Sequence, residues 1–138
     1  MEKFIEYCKN YIIDNIEAYE GEKVRVCALT DTLMSGPYYD GTLTYSRSQT
    51  KDYLIEWWDD CAKYIDYSIL HFGEFRVNPF DKPESFMVGM VSEGITEILF
   101  NVPFIKERWD KEEITLTPEV IQTIKDGVEE FDDDGEVF

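Results

Sequence analysis

Histidine, cysteine and positive charge are what this chain has least of. The single histidine, His71, and the three cysteines, Cys8, Cys27 and Cys61, form no CxxC or HxxxH pair, so no metal site is expected. Nothing in the spacing sets His71 beside a thiol as a general base. Each cysteine stands among apolar neighbours, and three widely separated ones read as buried thiols of a reduced intracellular protein rather than a disulfide framework. No glycine-rich loop suits a phosphate, and no cofactor is expected. Lys and Arg number 13 against 30 Asp and Glu, a formal net charge of −17. Direct contact with nucleic acid is thereby disfavoured, because affinity for phosphates needs clustered cations that release counterions. The uncharged runs at 85–92 and 98–105 are far too short to span a bilayer, and charges at Glu2 and Lys3 argue against a secretory signal. These absences together predict a cytoplasmic protein with no membrane association.

What is present is enough to fold. A chain of 138 residues with 43% hydrophobic and 15% aromatic content buries a real core, unlike a disordered acidic chain. The expectation is a single globular domain over 1–131 followed by an acidic tail at 132–138. No catalytic constellation stands out: with 30 acids any carboxylate pair arises by chance, and the protein is not expected to be an enzyme. Glu130, Asp132, Asp134 and Gly135 imitate the opening of a calcium loop, but its bidentate twelfth position would lie beyond Phe138, so calcium is not expected.

The strongest helical pattern lies at 49–66. Leu54, Trp58, Cys61 and Ile65 recur on one face, with Tyr53, Trp57 and Tyr64 beside it. Residues 2–19 carry Phe4, Ile5, Cys8, Ile12 and Ile16 at the same spacing, and Gly21 ends that helix. The stretch 24–34 is ambiguous: Val24, Val26 and Ala28 alternate as in a strand, whereas Val26, Leu29 and Leu33 step as in a helix, and a short helix is favoured. The run 35–41 is a turn cluster, 42–46 a candidate strand, and 73–82 an irregular loop. Pro83 in a first turn opens a helix to about Phe100, and Pro103 ends it. A charged connection at 104–113 carries Trp109, and 114–116 is a candidate strand. Thr117, Pro118 and Glu119 then supply N-cap, first-position proline and first-turn acid to a last helix with Val120, Ile121, Ile124 and Val128 inward. The fold class expected is mainly α, a compact bundle of four to five helices with at most a small β element.

The other face of the central helix is a ladder of carboxylates, Asp52, Glu56, Asp59 and Asp66, interrupted by Lys63. Carboxylates one turn apart are about 5–6 Å from each other, of the same order as successive strand charges at about 3.4 Å rise. Such a row imitates phosphates and suits a groove built for nucleic acid. Its plain alternative is a solvated face kept acidic for solubility. Glu93 and Glu97 on one helix and the acidic run 129–136 add to the first reading, and Trp109 is a candidate anchor for a partner as well as a candidate core residue.

The segments EYCKNYI, EWWDDCAKY, NPFDKPESFM and LTPEVI with its acidic tail sample most of the chain. In them the sequence resembles the small acidic proteins of bacteriophages and mobile elements, a group that includes anti-CRISPR and anti-restriction inhibitors, several of them DNA mimics. The resemblance implies an inhibitor in the host bacterial cytoplasm whose partner is a basic nucleic-acid-binding protein such as a Cas nuclease. Two alternatives stand beside it: an immunity protein neutralising a basic toxin nuclease, and a small phage enzyme modifying host components. The candidate contact residues are Asp52, Glu56, Asp59, Asp66, Glu93, Glu97 and Trp109.

Overall fold

The computed structural model describes residues 2–35, 83–110 and 112–131, together with Asp59, Ala62, Lys63, Ile65, Asp66, Ile69, Leu70 and Gly73. Among these residues the protein is mainly α, with five α-helices of described bounds, further helical residues between 59 and 70, and one two-stranded sheet. In chain order they are α1 (Glu2–Asn15), β1 (Lys23–Arg25), α2 (Leu29–Ser35), α3 (Pro83–Phe100), α4 (Pro103–Lys106), β2 (Glu113–Thr115) and α5 (Pro118–Glu130). The described residues belong to two compact units.

One unit takes in Cys8–Asp40 and Ser92–Asp132. Within it α1 buries Cys8, Tyr11 and Ile12, and Ile16 just after it continues the three- and four-residue spacing of a single helical face. The last turn tightens into a 3-10 helix at Ile16–Tyr19, a common way for a helix to satisfy its final carbonyls. Gly21 follows with φ of +86°, a conformation an L side chain rarely adopts, and its N–H bonds to the Leu116 carbonyl at 2.8 Å. The chain is thus turned onto β2 at the residue that the sequence marks as the stop.

β1 and β2 pair antiparallel, with Lys23 opposite Thr115, Val24 opposite Ile114 and Arg25 opposite Glu113. Side chains alternate along a strand, so Val24 and Ile114 face inward while their neighbours are exposed. Leu116 N–H to the Glu22 carbonyl (2.8 Å) and Val26 N–H to the Glu112 carbonyl (3.0 Å) extend the ladder on both sides. The expectation of one short helix over 24–34 is therefore corrected. Lys23–Arg25 is strand because β2 offers it a backbone partner; Val26–Ala28 is a 3-10 turn, and only from Leu29 does the chain become α-helical. Both periodicities read in that stretch are real, in succession. α2 is tied to its neighbours by Tyr11, whose hydroxyl donates to the Leu33 carbonyl (3.1 Å), and by a Thr30–Thr96 hydroxyl hydrogen bond of 2.8 Å.

The thiols do not behave alike. Cys8 is buried as expected, but Cys27 is exposed, because the 3-10 turn points Val26 inward and leaves the next residue outside. Cys61 lies outside the described residues.

Pro103 also does more than end a helix. α3 stops at Phe100, and Pro103 then takes the first position of α4 with Val102 as its N-cap, since a residue lacking an N–H loses nothing where a first-turn N–H has no helical partner. The segment expected to be wholly a connection is thus helical over Pro103–Lys106.

α5 opens as its sequence predicts. Thr117 is the N-cap and its hydroxyl oxygen accepts from the Val120 N–H at 3.2 Å, with Pro118 first in the helix and Glu119 in its first turn. Ile121, Ile124 and Val128 are buried, whereas Val120 is only half-buried. Replacing Thr117 by alanine is expected to cost about 1 kcal/mol, within the usual range for a lost cap. Urea unfolding at unchanged slope measures it; a shift of less than about 0.3 kcal/mol would mean that water replaces the hydroxyl without loss.

The other unit takes in Met1–Tyr7, Gly41–Val91 and Asp133–Phe138. Phe4 and Ile5 are buried on α1, and Phe86, Met87, Met90 and Val91 on α3. Asp59, Ala62, Lys63, Ile65 and Asp66 are helical, in keeping with the pattern read at 49–66, and Ile69 and Leu70 beyond that stretch are helical as well. Gly73, with φ of +78°, sends its N–H to the Ile69 carbonyl at 2.9 Å, the left-handed closure typical of a helix end. Leu54, Trp57, Trp58 and the strand candidate 42–46 lie outside the described residues. No helix among the described residues is long and apolar enough to cross a membrane.

Candidate partner-binding surface

The central ladder is described at two of its four rungs. Asp59 and Asp66 are both helical and exposed. Seven residues separate them, about two turns or 10.5 Å along the axis, and two turns bring the side chains back to nearly the same face. Lys63 is exposed between them and breaks the row. Asp52 and Glu56 lie outside the described residues.

The pair on α3 does not extend this surface. Glu93 is half-buried and Glu97 is only 5% exposed. The reason is the helix that carries them: Met90, Val91, Gly94, Ile95, Ile98 and Leu99 are all buried, which leaves too little of the circumference for a solvent face. Two acids one turn apart look like a stripe in sequence, but on a helix this apolar they go inside with it. Glu97 is therefore set aside as a partner contact.

Trp109 is only partly taken into the core. Its ring stands edge-on to Phe100 at 5.0 Å and 90°, a favourable aromatic geometry, yet it remains half-buried. The residues around it are held by local contacts. The Arg108 guanidinium lies 4.0 Å from the Phe104 ring centre and donates to the Phe104 carbonyl at 3.0 Å. Arg108 also meets Glu107 at 3.5 Å and Glu112 at 3.7 Å. Lys106 sits 5.6 Å from the Phe100 ring centre.

The acidic row that the structure displays most fully is on α5. Glu119, Gln122, Thr123, Asp126, Glu129 and Glu130 are exposed, opposite the buried Ile121, Ile124 and Val128. Glu119, Asp126 and Glu130 follow one another at seven and four residues, a row about 16 Å long at 1.5 Å per residue. Gln122 donates to Asp126 at 2.8 Å, which orients that carboxylate along the row. This face includes Glu119, the first-turn acid, and the first two residues of the acidic run 129–136; 132–138 lie outside the described residues. The signal was available, because the periodicity that marks Ile121, Ile124 and Val128 as inward marks Glu119, Asp126 and Glu130 as outward.

Nearby cations are engaged in holding α5 rather than in neutralising its outer row. Lys125 is 15% exposed and pairs with Glu17 of the 3-10 turn after α1. Lys9 donates to the Glu129 carbonyl at 3.2 Å and lies 6.0 Å from the Phe131 ring centre, where a cation suits the negative end of the helix dipole. Lys23 pairs with Glu113 at 3.7 Å on the exposed side of the sheet. Ion pairs of this kind contribute about 0–1 kcal/mol each; their larger effect is on the surface potential, since Lys125 and Lys23 meet carboxylates elsewhere and Lys9 a carbonyl, which leaves Glu119, Asp126 and Glu130 facing solvent.

No group of three His, Cys, Asp or Glu side chains among the described residues is arranged to hold a metal ion. No family model, curated protein or solved structure matches the chain. What the geometry defines is a class: a mainly α protein whose helix Pro118–Glu130 is seated on a buried apolar stripe and acidic on its outer face.

Proposed function

We propose that this chain is a stoichiometric inhibitor that occupies the basic nucleic-acid groove of a host defence nuclease, a mimic of the anti-CRISPR or anti-restriction type with a Cas effector as its first candidate target. The observation that carries the reading is the exposed row Glu119, Asp126 and Glu130 on a helix pinned by its opposite face. Orientation matters here because a fixed row presents charge in register with a groove, whereas mobile acids only raise solubility. Asp59 and Asp66 add two exposed helical carboxylates, with Lys63 exposed between them. Net charge of −17 adds long-range attraction to any cationic cleft and raises the association rate. Trp109, half-exposed beside Arg108, has the residue type that dominates protein interfaces.

The test uses purified Cas effectors, with and without their guide and target nucleic acid, at several salt concentrations. The variant is the triple amide Glu119→Gln, Asp126→Asn and Glu130→Gln, which keeps size and polarity while removing three charges. Expected are an unchanged circular dichroism spectrum, binding at least tenfold weaker, and a shallower salt dependence, because exposed charges are screened beyond a Debye length of about 8 Å at physiological salt. Preloaded nucleic acid should block the wild-type protein. If no effector binds, if the amide variant binds as well as the wild type, or if preloading makes no difference, the mimic reading is dropped.

A further inference from the structure

We draw no further inference here: the strongest candidate, the half-buried aromatic corner of Phe100, Phe104 and Trp109 at the junction of α3 and α4, has its Arg108 already met by Glu107 and Glu112, and nothing in the structure shows what covers it.

Discussion

Replacing Ile124 by alanine is expected to destabilise the protein by about 2–5 kcal/mol, the range for deleting a large aliphatic side chain from a packed interior. Ile124 has no solvent exposure and lies in the middle of α5, between Ile121 at 4% and Val128 at 0%. The helix gains its seat from this stripe: thirteen residues, with Gly127 among them, are too few to be stable alone in water. The position within the range depends on how far the surroundings collapse into the space left behind. A control on the same helix is Thr123→Ala, whose exposed side chain bonds only the Glu119 carbonyl and is expected to change stability by less than about 0.5 kcal/mol. Chemical denaturation of both variants measures the difference. Equal effects, or a loss under 1 kcal/mol for Ile124→Ala, would mean that α5 is seated by some other face and that its acidic row points elsewhere. The stability measurement is in this way also a test of the surface on which the functional proposal rests.

Gly127→Ala is the second large effect, and its sign runs against helix propensity. On an exposed helix the change stabilises by about 1 kcal/mol. Here a Cβ at position 127 would stand 2.6 Å from Val102 Cγ1 and 3.2 Å from its Cγ2, well inside ordinary contact distance. Val102 cannot easily give way, being 1% exposed and branched at Cβ, so that its χ1 has few alternatives. It is also the N-cap of α4, with its carbonyl accepting from Ile105 at 2.9 Å and Lys106 at 2.8 Å. Overpacking of this kind costs about 1–3 kcal/mol, which outweighs the propensity gain, and a net loss is expected. The decisive variant is the pair. In a Val102→Ala background both methyls are gone and only the contact with the residue's Cβ at 3.3 Å remains, so Gly127→Ala should cost much less than in the wild type and approach the propensity gain. A thermodynamic cycle by denaturation measures the coupling; simple additivity would show that the two residues do not press on each other.

Local patterns carried much of this fold. The apolar steps of α1 and α5 were legible because a helix repeats every 3.6 residues and each turn needs only its own few side chains to declare a face. Thr117 with Pro118 and Gly21 were legible because a cap or a left-handed turn is a property of one or two residues. Glu97 was misleading for the complementary reason: a one-turn spacing of acids says which side of a helix they share, and the burial of that side depends on what the rest of the fold packs there. The outer row of α5 was written as clearly as its inner one. It emerges as a surface only once the helix is known to be seated on Ile121, Ile124 and Val128.

The sequence by itself determined the helical class, the start of the helix at Pro118, the shortage of cations and the net charge of −17. Tertiary structure alone decided that Lys23–Arg25 is strand, because its partner Glu113–Thr115 comes from the far end of the chain. It decided that Cys27 faces solvent while Glu97 does not, and that Gly127 is the residue Val102 leans on. The physical division is one of range. Periodicity, caps and charge are sums over neighbours in sequence, whereas pairing, burial and close approach depend on which distant segment arrives, and several arrangements satisfy the same local pattern until packing selects one.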